Sequence, residues 1–193
     1  MNSAQKMIRQ CMCDEVEPCK TIAVKSILPC ADKCQKYISS ISRNYQQIRS
    51  CFQQKQQVIN GTIMCSQNSF PNSCVHGRVA NLIPRRYTKS IELAAMNEIN
   101  KDLHRMGIAD QIASILTQGR HFFRCFQSCM TRRLDKCTTG CGLDLPPDNA
   151  VVQIIKTCAI NMGLHTATIQ DLCFCLNNAG IQQLADICPR VQI

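Results

Sequence analysis

The chain has 193 residues, a formal net charge of +9 and sixteen cysteines, with only six Phe, three Tyr and no Trp. That length accommodates one domain or two small ones. No stretch approaches the roughly 18 uninterrupted apolar residues of a membrane-spanning helix. The aromatics are too few beside the basic residues to stack single-stranded nucleic acid, which excludes that partner. An even cysteine count at about eight per cent marks a disulfide scaffold and excludes a reducing compartment.

Residues Met1 to Lys6 contain no apolar run. With so many cysteines this implies a mature secreted form, with Met1 an added initiator. The segment from Asp32 to Ile59 repeats Tyr37, Ile41, Tyr45, Ile48 and Phe52 at three- and four-residue steps, which predicts one long helix, or two, stopping at Asn60-Gly61. Residues 66–86 carry Pro71, Gly77 and Pro84 and read as a loop tied down by Cys65 and Cys74. Next, Ile91, Ala94, Ala95, Ile99 and Leu103 form an apolar helical stripe over 89–104, ended by Gly107. A shorter helix over 109–118 turns Ile112, Ile115 and Leu116 to the core and stops at Gly119. Cys125 and Cys129 then share a helical face with Phe122 and Phe126. Pro146-Pro147 cannot be helix interior, and Asp148 is the expected N-cap of a helix carrying Val151, Ile154, Ile155 and Cys158 as far as Gly163. A last helix starts at Thr166 and carries Cys173 and Cys175 to Gly180. No strand-like alternation of useful length is present.

The expected fold is therefore an all-α, disulfide-stapled helical bundle. Cys11, Cys13, Cys19, Cys30, Cys34, Cys51, Cys65 and Cys74 lie in the first part, and Cys125, Cys129, Cys137, Cys141, Cys158, Cys173, Cys175 and Cys188 in the last. None lies between, which suggests a cysteine-rich unit over 1–74, a central loop and helices over 75–124, and a second cysteine-rich unit over 125–193. These form two similar units or a single compact domain. The spacing of Cys30, Cys34, Cys51 and Cys65 recurs in Cys137, Cys141, Cys158 and Cys173, so an internal duplication is an open reading. The Cys-x3-Cys pairs Cys30/Cys34 and Cys125/Cys129 each put both sulfurs on one helix face, from where they should bond outward to neighbouring helices. Connectivity is not determined by spacing. Zinc is disfavoured, because no Cys-x2-Cys occurs and the four His are not paired at i,i+4. An even cysteine count leaves no spare thiol for a nucleophile, so no catalytic residue, metal or cofactor is expected.

Basic residues outnumber acidic ones nine to four over 1–74 and eight to four over 75–124, but are balanced five to five over 125–193. Two clusters, Arg85-Arg86 with Lys89 and Arg132-Arg133 with Lys136, suit sulfate, phosphate or carboxylate groups, as well as solvating a helix face. Asn60-Gly61-Thr62 is an N-glycosylation sequon at an expected turn.

The run Cys141-Gly142-Leu143-Asp144-Leu145-Pro146-Pro147-Asp148, followed by Gln153-x4-Cys158, Asp171-Leu172-Cys173-x-Cys175, Ala179-Gly180 and Ile187-Cys188, resembles the cysteine-rich helical domains of nematode secreted proteins, specifically the chondroitin proteoglycan 4 type. The likeness covers about 120–190. It implies an extracellular, non-enzymatic protein, in some members a core for chondroitin chains. The absence of any Ser-Gly dipeptide, the usual attachment site, implies an unmodified relative. The expected function is that of a secreted interaction or matrix protein presenting a basic surface to an acidic partner such as a glycosaminoglycan. The alternatives are a parasite effector docking a host protein receptor and, from the enzyme class, a thiol-dependent activity. Oligomeric state is not legible.

Overall fold

The computed structural model describes residues 6–77, 81–137 and 140–193. Among them the architecture is all-α apart from one short ribbon, in which β1 (Met7–Arg9) pairs antiparallel with β2 (Leu82–Pro84) and Ile8 faces Ile83. The helices are α1 (Cys13–Cys34), α2 (Tyr45–Gln54), α3 (Gln56–Asn68), α4 (Thr88–Arg105), α5 (Ala109–Gln118), α6 (Arg120–Leu134), α7 (Asp148–Asn161) and α8 (Thr166–Asn178). A 3-10 segment, Gln35–Ser40, joins α1 to α2, and two more at Gln182–Leu184 and Cys188–Arg190 close the chain. No described helix is long and apolar enough to cross a membrane.

Sulfur arranges these helices. All sixteen cysteines are bridged, and six of the eight bonds join the first cysteine-rich part to the last. Cys11, Cys19, Cys30 and Cys34 bond Cys141, Cys137, Cys129 and Cys125 in that order. The partners descend as the chain ascends, so α1 and α6 lie antiparallel in a ladder whose two rungs beyond Cys30 and Cys34 run past the helix ends. The i,i+4 spacing of Cys30/Cys34 on α1 and of Cys125/Cys129 on α6 supplies two rungs one helical turn apart. A second, shorter ladder ties α2 to α8 by Cys51–Cys175 and α3 to α7 by Cys65–Cys158. Cys13–Cys74 and Cys173–Cys188 stay within their own parts. In three of the pairs matched by the recurring spacing both members bond across: Cys30 and Cys137, Cys34 and Cys141, and Cys51 and Cys158 each reach the opposite part. The fourth pair breaks the pattern, since Cys65 crosses and Cys173 does not.

A core of Ile38, Ile48, Ile108, Ile181, Leu184 and Ile187 packs around Cys51, Cys173 and Cys188, below α5 and α8. Sulfur and aliphatic carbon therefore share the interior.

Several boundaries differ from those expected. The region 32–59 contains the end of α1, a 3-10 segment, α2 and the start of α3. Asn44 starts α2 by accepting the Gln47 N–H at 3.1 Å, while the buried Ser42 hydroxyl donates to the Ala179 carbonyl. Pro18 and Pro29 sit inside α1, each lacking an amide hydrogen, and each is followed by a bridged cysteine that fixes the helix from outside. Asn60-Gly61 does not end a helix, because α3 runs through it. A Cβ on Gly61 would lie 2.9 Å from Met162 Sδ, so glycine serves here to let α3 approach the end of α7. The β1–β2 ribbon was missed because three-residue strands carry no readable alternation. Asp148 is the first helical residue, not the cap, and its carboxylate accepts from Arg86 Nη1 at 3.0 Å. By contrast α5 spans the expected residues, and Gly163 and Gly180 follow α7 and α8 at φ 100° and 103°, where a side chain would be strained.

Candidate functional site

The basic clusters are only partly available. Arg86 is paired with Asp148 and Lys89 with Glu92 at 3.0 Å each, while the exposed Arg85 lies over the Tyr87 ring. At the end of α6, Arg132 and Arg133 are exposed, and Arg132 donates to Ser128 Oγ at 3.2 Å. The Lys136 side chain lies outside the described residues, as do residues 1–5 with the expected initiator. Asn60 is half-buried on α3, and the hydroxyl of Thr62 in the same sequon donates to the Val58 carbonyl at 2.7 Å. The acceptor therefore lies within a helix rather than at a turn. Among the described residues no group of three or more His, Cys, Asp or Glu could hold a metal ion.

The distinctive feature lies elsewhere. A cavity of about 420 Å³ opens between α1, α2, α5 and α6, and its floor is the core below α8. Helical periodicity builds each wall. Val24, Ile27 and Leu28 project from α1 at i, i+3 and i+4, and Ile112, Ile115 and Leu116 repeat that spacing on α5. Phe122, Phe123 and Phe126 come from α6, with the Phe122 and Phe126 rings stacked 6.2 Å apart. Tyr45, Ile48 and Phe52 complete the wall from α2. Of its 22 lining residues only Arg49, Gln56 and Asn60 carry polar side-chain ends besides the Tyr45 hydroxyl. Phe52, Leu116 and Phe123 are 40%, 36% and 44% exposed, which shows that the cavity communicates with solvent.

The bridges tie the walls of this space to one another. Cys30–Cys129 and Cys34–Cys125 fix the α1 wall to the α6 wall, and Cys51–Cys175 fixes α2 to α8. Asp32 adds a polar tie at one edge. Its Oδ1 accepts Arg49 Nε at 2.7 Å and the Tyr45 hydroxyl at 2.8 Å, and its Oδ2 accepts Arg49 Nη2 at 3.2 Å. The Arg49 guanidinium holds the Asp32 carboxyl below its ordinary range, and burial with the Asp32 hydrogen bond keeps the Tyr45 phenol protonated.

A larger hollow of about 720 Å³ between α4 and α7 has polar walls. On α4, Glu98 and Asp102 clamp Lys156 of α7 at 3.0 and 2.9 Å. Asp102 and then Glu98 raise the Lys156 pKa, and Lys156 lowers that of Glu98, the pattern of a structural ion pair. Arg9 likewise grips Glu15 at 2.8 and 2.9 Å, and with the Met12 N–H pushes its carboxyl down to about 2.

Ile112, Ile115 and Leu116, read from sequence as core-facing, and Phe122 and Phe126, read as sharing the cysteine-bearing face of their helix, all line the cavity. The α1 contribution was missed, although the spacing of Val24, Ile27 and Leu28 carries the signal. No family model, curated protein or solved structure matches the chain.

Proposed function

We propose that this is an extracellular, non-enzymatic carrier that holds a small apolar molecule in the cavity between α1, α2, α5 and α6. One observation carries the reading: an almost wholly apolar space of about 420 Å³ lies between walls that are tied together by disulfides. The volume falls within the roughly 300–1,000 Å³ of small-molecule sites. Because the space opens to solvent at Phe52, Leu116 and Phe123, its apolar walls stay in contact with water when empty, and a bound apolar molecule removes that surface from water at about 25 cal/mol per Å². Eight disulfides require an oxidising compartment, and the resemblance to secreted nematode domains agrees with an extracellular setting.

The test is titration with N-phenyl-1-naphthylamine, a neutral probe that fluoresces in apolar sites. Saturable binding of one probe per chain, abolished in a cavity-filling variant, supports the carrier. Absence of saturable binding overturns it.

A second reading, the interaction or matrix protein with a basic face for a glycosaminoglycan, is favoured by the net charge of +9 and the exposed Arg132 and Arg133. Binding to immobilised heparin that weakens steeply with salt would support it, and salt-independent or absent retention would remove it.

A further inference from the structure

We infer that the cavity takes uncharged amphiphiles in preference to carboxylates, and that Asp32 sets this preference by neutralising Arg49, the one charged residue among the described residues of the lining. The inference rests on the carrier reading above and specifies its ligand class. The polar part of the lining comes from adjoining stretches of chain, Arg49 on α2 and Gln56 with Asn60 one turn apart on α3, so it lies on the α2–α3 side of the cavity. A ligand therefore meets apolar surface along its body and polar groups at one end. A cation at such a position would ordinarily select an anionic head group.

Here the cation is already engaged. Two of the three guanidinium nitrogens of Arg49 donate to the two oxygens of Asp32, and the same carboxylate takes the Tyr45 hydroxyl. Asp32, Arg49 and neutral Tyr45 sum to zero charge. An incoming carboxylate would be desolvated beside apolar walls and within reach of the Asp32 charge, with no uncompensated cation to offset that cost. An alcohol, ester or amide pays much less. The Gln56 and Asn60 side chains make no hydrogen bond to other described residues, and each amide offers both donors and an acceptor to an uncharged polar end. Asp32 does not line the cavity. It is a specificity-determining residue that acts through Arg49.

The experiment displaces N-phenyl-1-naphthylamine near neutral pH with dodecanol or dodecanoate, using protein whose intact mass shows Asn60 unmodified. In the wild type, dodecanol is expected to displace the probe at a concentration at least about tenfold lower than dodecanoate. Asp32→Asn leaves the Arg49 charge uncompensated and is expected to strengthen dodecanoate at least about tenfold while changing dodecanol by less than about twofold. Adding Arg49→Gln to that variant should remove the gain, which separates charge from any loss of packing. Equal or tighter dodecanoate binding by the wild type, or an unchanged ratio in Asp32→Asn, overturns the inference and leaves the carrier reading standing. Failure of the wild type to bind the probe overturns both.

Discussion

Replacing Cys34 and Cys125 together with alanine removes one rung of the α1–α6 ladder, and the size of the effect depends on whether the neighbouring rung shares its work. Taken alone, the bond closes a span of 91 residues, worth about 4.6 kcal/mol of loop-closure entropy in the unfolded chain. Cys30–Cys129 lies one turn away on both helices, however. With that bond intact, the second rung closes a ring of only about ten residues, worth about 2.7 kcal/mol. For 193 residues at about 2.1 cal/mol/K each, these values correspond to losses in Tm of about 7 and about 11 °C. Scanning calorimetry under non-reducing conditions, on protein in which peptide mapping verifies the other bridges, distinguishes them. A loss near 7 °C is expected. A loss of 11 °C or more would show that the rungs act independently and refute the ladder reasoning. The single variant should keep its probe affinity within about twofold, whereas removing Cys30–Cys129 as well frees the α1 wall and should weaken the probe at least about tenfold.

Leu28→Trp fills the cavity from α1 and is expected to weaken the neutral probe at least about tenfold, with Tm unchanged or raised because part of the void is filled. Lys156→Met cuts the α4–α7 clamp and should cost roughly 1–2 kcal/mol, a fall of about 3–5 °C in Tm with no change in probe affinity. The Arg9 guanidinium and the Met12 N–H depress the Glu15 carboxyl to about 2 from its ordinary 4.5, so its contribution is present above the unfolded value and lost as pH falls through the folded one. Melting curves of wild type and Glu15→Gln should therefore differ above pH 4.5 and converge as pH falls toward 2. A gap that persists at the acid end would remove the Arg9–Glu15 pair as its cause.

Much of the helical content was legible in local signals. Glycines mark the ends of α5, α7 and α8, and the apolar stripe of α4 is plain. What was lost needed tertiary information. Gly61 has the look of a stop signal and is instead a packing site against Met162, and a helix containing Pro18 and Pro29 has few local signs in its favour. The sulfur pairing was open for the same reason, since spacing alone does not order an antiparallel ladder. The cavity was hidden differently. Its residues are visible as apolar stripes on α2, α5 and α6, but a stripe that lines a hollow reads the same as one that fills a core. Whether opposing stripes meet is decided by the tertiary placement of their helices, which the stripes themselves do not record. The tie from Asp32 at the end of α1 to Arg49 and Tyr45 on α2 depends on how the chain returns between the two helices, which no periodicity reports.

The most direct test of an apolar ligand cavity is methyl NMR on protein labelled at Ile and Leu, titrated with dodecanol. Saturable shifts confined to cavity methyls such as those of Ile27, Leu28, Ile48, Ile115 and Leu184, with Ile91 and Ile99 on α4 unmoved, are the expected result. Shifts scattered over the exposed surface, or none up to the solubility limit of the alcohol, would contradict it.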